Sequence, residues 1–211
     1  MKQSGGEMNH EPENQKGGQM KDSFTERSKR LSEELERRLL ADKNILVILD
    51  IMDRLNLSDC WLCAGTIRNF IWNQYSFDEE TDVDLVFFDE NISYEETMGI
   101  ESDLYKNYPA YRWELKNQVY MHIHSPNTKP YQSSRDAIEK FPERCTAIGI
   151  CRTERNKLEI FAPFGLDDIY AYQVRPTPHF LADPNRMELY RQRILKKQWK
   201  KKWPSLTVKD T

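Results

Sequence analysis

Asp82 and Asp84 are separated only by Val83 and lead into the apolar run 85–88. That alternation predicts the leading end of a buried strand, on which side chains two apart share a face. Two carboxylates aimed the same way repel each other, and a chain that keeps them together usually has a cation to place between them. Hard divalent ions such as Mg²⁺, or Mn²⁺ in its place, take oxygen ligands of this kind together with water and phosphate. A second group of residues, Gly65-Thr66-Ile67-Arg68-Asn69, follows the short apolar segment 61–64. Gly65 sits where a strand pattern gives way to a helical one, and glycine there lets the backbone come close to something bulky and anionic at a helix N-terminus. Arg68 works against the dipole of that helix, so it answers either an external anion or one of the aspartates.

Several elements must position these groups. The strand 61–64 and a helix from Thr66 to about Tyr75, with Ile67, Phe70, Ile71 and Tyr75 inward, precede the Asp82 strand, and the acidic loop 76–81 joins them. Upstream, Ser23 and Glu26 read as a capping box, followed by leucines at 31, 35, 39 and 40 on one helical face, then by a second helical pattern at Ile45, Ile48, Leu49, Met52 and Leu55. Downstream, Ser93 with Glu96 caps a helix to about Asn107, and 111–116 reads as a strand with Trp113 and Leu115 on one face and Glu114 and Lys116 on the other. In the stretch after Asn117 and Gln118, alternation puts His122 and His124 on one face of a strand; without a third soft ligand the pair is a weak metal site. Residues 131–141 read as a loop and short helix, 146–151 and 157–161 as a hairpin. Asp167 and Asp168 fall where acids suit a helix start. Asp183-Pro184 opens a last, basic helix over 183–202, whose Arg191, Arg193, Lys196, Lys197, Lys200, Lys201 and Lys202 form either a phosphate-holding cluster or a solvated face.

These blocks carry a resemblance. Ala64-Gly65-Thr66-Ile67-Arg68-Asn69, Thr81-Asp82-Val83-Asp84, Trp113-Glu114-Leu115-Lys116-Asn117-Gln118 with Met121-His122, Tyr131-Gln132-Ser133-Ser134, Ala162-Pro163-Phe164-Gly165-Leu166-Asp167-Asp168, and Tyr190-Arg191-Gln192-Arg193 with Lys197 and Trp199 occur in one order from about Leu57 to Val208. The chain thereby resembles a bacterial nucleotidyltransferase-like family of unknown substrate, within the DNA polymerase β-type superfamily. The resemblance implies an α/β fold of the minimal nucleotidyltransferase kind: a small mixed sheet flanked by helices, with helices mainly on one side. It implies a third carboxylate on a neighbouring strand, Glu114 first and Glu159 second, completing a Mg²⁺ site with Asp82 and Asp84. Gly65 and Thr66 would meet the triphosphate of a nucleoside triphosphate, Arg68 or Lys116 would neutralise developing charge, and Asn69, Asn117 and His122 would contact the nucleotide. The acceptor, whether small molecule, protein or RNA 3′ end, stays open. Two alternatives stand beside transfer: a non-catalytic nucleotide- or partner-binding module with a degenerate metal site, and a metal-dependent phosphoesterase using water as acceptor.

Composition narrows the class. The 211 residues allow one domain, expected as a disordered tail over 1–21, two helices within 23–56, a catalytic core over 57–180 and the basic helix. Charged residues reach 31% and mean hydropathy is -0.80, with no apolar run long enough for a membrane span and no leader-like N-terminus, so a cytoplasmic protein without membrane partners is expected. The formal net charge of -3 speaks against a protein that coats nucleic acid by bulk electrostatics. Cys60 and Cys63 have zinc-knuckle spacing, but Cys145 and Cys151 do not complete it, so reduced, mostly buried thiols are expected and no zinc.

Overall fold

A computed structural model describes residues 15–154 and 156–210. Helix α1 (Gln15–Leu39) begins upstream of Ser23, which therefore lies inside a helix and does not cap one; residues 15–22 contain no proline to stop the turn from extending. The rest of the expected tail lies outside the described residues. Helix α2 (Lys43–Leu55) is capped by Asp42, whose Oδ1 accepts from Asn44 N and Ile45 N at 2.9 and 3.0 Å. Strand β1 (Trp61–Cys63) runs directly into α3 (Ala64–Trp72), and β2 (Asp82–Phe87) follows. Helix α4 (Tyr94–Asn107) opens on the reciprocal Ser93–Glu96 box and delivers the chain to β3 (Arg112–Asn117). Next come α5 (Ser134–Glu139), the hairpin of β4 (Gly149–Glu154) and β5 (Lys157–Phe161), α6 (Asp167–Tyr170), β6 (Gln173–Val174), α7 (Pro178–Leu181), α8 (Pro184–Lys197) and β7 (Thr207–Val208).

Five strands form one mixed sheet in the order β3-β2-β1-β4-β5; β2 and β3 are parallel, the other pairs antiparallel. Alternation along each strand gives the sheet two unlike faces. On one, Leu62, Val83, Leu85, Trp113, Leu115 and Ile150 join the main core with Ile45, Ile48 and Leu49 of α2 and Ile67 and Phe70 of α3. On the other, Trp61, Cys63 and Val86 meet Ile138 of α5 in a small separate cluster. The expected layering of helices on one side thus holds for the main core only, because α5 covers half of the opposite face. Asp84 and Glu114, on β2 and β3, point to this same face.

The stretch after β3 departs from its expected strand. Gln118 N makes a last ladder bond to Phe87 O at 2.8 Å, after which Tyr120 N bonds Asn117 O, and Met121–His124 wind into a 3-10 turn. Alternation of apolar and polar residues cannot tell that turn from a strand. Strand β4 also starts later than 146, since Thr146 N and Ala147 N fold back onto Glu143 O at 3.0 and 2.9 Å. Of the four thiols, burial pushes Cys60 and Cys145 up to about 12. No helix among the described residues is long and apolar enough to cross a membrane.

Candidate active site

The carboxylate wall is built around a sharp strand-to-helix turn. Ala64 takes a left-handed conformation (φ 51), strained for a residue with a side chain. Its N–H donates to Ile148 O at 3.0 Å, and the next N–H, that of Gly65, donates to Asp84 Oδ2 at 2.7 Å. A Cβ on Gly65 would stand 2.7 Å from that same oxygen, so no other residue fits without moving Asp84. The anion that Gly65 admits is the protein's own carboxylate. Thr66 is committed in the same way: its Oγ1 donates to Asp82 O at 3.0 Å and accepts from Asp84 N at 2.8 Å, with the side chain buried. The first turn of α3 therefore grips Asp82-Val83-Asp84 by backbone and side chain together.

Strand pairing sets the neighbours of the two aspartates. Asp82 pairs in register with Arg112 and Asp84 with Glu114. Arg112 Nε lies 3.1 Å from Asp82 Oδ1, while burial first and then the facing charge of Glu114 push the Asp84 carboxyl up to about 6, against the pull of Arg68 and of the Gly65 N–H. Of the two candidates for a third carboxylate, Glu114 is thus beside Asp84. Glu159 lies three strands away on β5, paired with Arg135 and opposite Cys151. The all-oxygen donor set of Asp82, Asp84 and Glu114 fits a hard divalent cation. Among the described residues, however, no three acidic, histidine or cysteine side chains converge closely enough to hold an ion as placed, with Asp82 answering Arg112 and Asp84 answering Gly65.

A cleft with two lobes separates this wall from the C-terminal helix. One lobe, of about 790 Å³, runs past Arg68, Asn69, Asp82 and Lys201; the other, of about 860 Å³, has a more apolar floor with Val86, Met121, Phe141 and Phe180. Ala64, Asp84 and Glu114 border both on one side, and Arg193, Lys196 and Lys197 border both on the other. The basic face of α8 is therefore turned toward the carboxylates. An aromatic cluster fixes it there. Trp72 of α3 packs against Trp199 and Trp203 with ring centroids 6.1 and 5.0 Å apart, and Trp203 Nε1 donates to Asn73 Oδ1 at 3.0 Å.

Several residues expected at the nucleotide do other work. Arg68 is buried, its Cζ 4.4 Å from the Trp199 ring and 5.0 Å from that of Trp72, and its Nη1 donates to Thr146 Oγ1 at 2.9 Å. Desolvation lowers its pKa, and among the described residues it forms no ion pair, although it borders the cleft. Asn69 accepts from Arg68 and donates to Thr81, although it borders the cleft. Lys116 borders the apolar lobe but pairs with Glu101 at 3.2 Å. Asn117 is buried on the far face, donating to Asp89 O and Ile92 O at 2.7 and 3.0 Å and so tying the loop after β2 to the end of β3. His122 packs edge-on to Tyr131 with its Nδ1 buried and unbonded, and His124 reaches the apolar lobe.

Sequence reasoning missed Glu143, buried and joined to Arg193 at 2.7 Å. It had no local signal, lying fifty positions from its partner. The convergence of Arg193, Lys196 and Lys197 did have one, since positions i, i+3 and i+4 share a helical face.

Known proteins share this fold. A family model described as nucleotidyltransferase matches residues 50–208. A solved NMR structure described as revealing a CCA-adding enzyme head domain is 51% identical with a TM-score of 0.80, the match covering 85% of this chain and 96% of that one. Comparison with curated proteins gives no match.

Proposed function

The chain belongs to the nucleotidyltransferase family, and from that premise we propose that it moves a nucleoside monophosphate from a nucleoside triphosphate to an acceptor hydroxyl with the help of Mg²⁺. One arrangement carries the reading: Asp82 and Asp84, with Glu114 in register beside Asp84, face a cationic helix across an open cleft. Asp82, Asp84 and Glu114 would hold Mg²⁺, or Mn²⁺ in its place, which when bound supplies charge neutralisation at the transferred phosphoryl and the attacking oxygen. The protein's own contribution is placement. Gly65 N–H and the Thr66 hydroxyl fix the Asp84 carboxylate and the backbone on either side of Val83, so the acids are oriented before substrate arrives. In the step itself the acceptor oxygen bonds to the α-phosphorus and the bond to the pyrophosphate oxygen breaks. The electron pair leaves with pyrophosphate, and the acceptor proton passes to a carboxylate or to water.

The head-domain neighbour makes an RNA 3′ end the acceptor to test first, ahead of small molecules and protein hydroxyls. A second reading, nucleotide binding without turnover, is favoured by one observation: Asp82 is paired with Arg112, and the three acids do not converge as placed. The deciding experiment titrates each nucleoside triphosphate, with and without Mg²⁺, into the wild type and an Asp82→Asn, Asp84→Asn double variant by thermal shift, then follows α-labelled nucleotide. Mg²⁺-dependent stabilisation lost in the double variant, with label moved to acceptor, is expected. Stabilisation without transfer selects the binding module, and labelled monophosphate released to water selects the phosphoesterase.

A further inference from the structure

Arg193 is held unlike any other cation of the cleft. Its Nε donates to Glu143 Oε1 at 2.7 Å; Glu143 is 0% exposed and the Arg193 side chain 33% exposed, so the pair runs from the interior out to the cleft. Among the described residues Nε is the one Arg193 nitrogen bonded to the protein, which leaves both terminal nitrogens without a protein partner. The guanidinium lies 5.8 Å from the Trp199 ring. Glu143 is anchored in turn by the turn that receives Thr146 N and Ala147 N on its carbonyl, and its Oε2 is buried without a partner. A buried pair of this kind is weak support for stability and is expensive to half-satisfy. Orientation of the guanidinium explains its presence better.

Four other cations near the site are engaged elsewhere. Arg112 answers Asp82, Lys116 answers Glu101, Lys202 answers Asp78, and Arg68 lies against two tryptophans. Gly65 N–H and the Thr66 hydroxyl are bonded within the protein. The groups that sequence pattern offers to a triphosphate are thus largely used, while Arg193, Lys196 and Lys197 border both lobes opposite Asp84. A guanidinium fork held at one nitrogen presents two donors in the geometry that phosphate oxygens accept bidentately.

We infer that Arg193, oriented by the buried Glu143 and flanked by Lys196 and Lys197, is the polyphosphate clamp of this cleft, gripping the part of the triphosphate that leaves as pyrophosphate. The inference deepens the nucleotidyl-transfer reading and rests on it for the identity of the leaving group. As the bond to the α-phosphorus breaks, the electron pair and its charge pass to pyrophosphate, and Arg193 meets that charge from the wall opposite the carboxylates. Glu143 is a positioning residue, keeping the guanidinium from following the departing group.

Calorimetric titration of the full chain with inorganic tripolyphosphate, orthophosphate and each nucleoside triphosphate tests this. Arg193→Gln is expected to raise the tripolyphosphate Kd about tenfold or more, and Arg193→Lys, which keeps charge without the fork, to recover only part of it. Because Arg193→Gln alone strands Glu143, the neutral pair Glu143→Gln, Arg193→Gln is measured as well, with its melting temperature as a check on folding. Glu143→Gln alone should lower the preference for tripolyphosphate over orthophosphate, a readout that a purely structural role would not move. Unchanged tripolyphosphate Kd in the folded double variant overturns the clamp, even if nucleotidyl transfer is then found. Arg193-dependent binding of tripolyphosphate by a protein that transfers no nucleotide upholds the clamp and removes the transfer reading. A wild type that binds neither tripolyphosphate nor nucleotide overturns the inference.

Discussion

On the β2–β3 wall the central contacts are made by backbone. The Asp84 carboxylate is held by the Gly65 amide, and the peptide groups around Val83 are held by Thr66, while Asp82 answers the Arg112 side chain. On the α8 wall the groups are fixed by other side chains: Arg193 by Glu143, and the end of the helix by a tryptophan cluster. Backbone fixation is short-ranged and tolerates no change in shape at the contact, whereas side-chain fixation reaches across the fold and tolerates changes that keep charge and volume. Changes at Gly65 and Thr66 should therefore act through geometry, whereas those at the ionisable groups themselves, Asp84 on one wall and Arg193 on the other, should act through charge.

The largest effect is expected from Asp84→Asn, which keeps the hydrogen bond to Gly65 while removing charge. Nucleotidyl transfer should fall by at least about 10²–10³-fold, the scale seen when one preorganised electrostatic group is removed from an active site, in a variant whose folding is intact. Wild-type turnover in that variant would sink the site proposal. Gly65→Ala tests the geometric claim directly. The added Cβ meets Asp84 Oδ2 at 2.7 Å, so a cost of about 1–3 kcal/mol in denaturant unfolding is expected, where alanine in an ordinary helix would stabilise. Thr66→Val keeps shape but strands Asp84 N–H and should cost about 1–2 kcal/mol, with activity falling alongside. Equal stability of Thr66→Val and wild type would show that the grip on β2 lies elsewhere.

Asp84 also gives the wall a pH signature. Its folded pKa of about 6 lies above the usual carboxylate value, so a penalty on folding builds as pH rises from about 4 to about 6, is complete above that, and is absent below about 4. Asp84→Asn should therefore be more stable than wild type by about 3 kcal/mol at pH 8, the gain shrinking to nothing below pH 4. A gain independent of pH would remove the charge explanation. The smallest effect is expected at the opposite sheet edge. Glu159→Gln breaks a half-exposed pair with Arg135, worth about 0–1 kcal/mol, and transfer should stay within about twofold of wild type; a large loss of activity would return Glu159 to the site.

The sequence by itself determined the carboxylate wall. Asp82 and Asp84 share a face because side chains alternate along any strand, and the Gly65 turn, the Ser93 box and the Asp183-Pro184 start are local chemistry that neighbours in sequence decide. Family likeness, read from ordered blocks, reached further than spacing did. Tertiary structure alone decided what those groups meet. Parallel pairing of β2 with β3 set Glu114 beside Asp84 and left Glu159 on the far edge. The chain's own carboxylate took the Gly65 amide expected for a phosphate, and tryptophans took Arg68. Asn117 and His122 went to internal contacts, because alternation reports which face a residue takes but not which partner waits there. Glu143 and Arg193 are joined only because the chain returns on itself over fifty positions. A contact of that range leaves no period in the sequence, since nothing in the local backbone has to change to permit it.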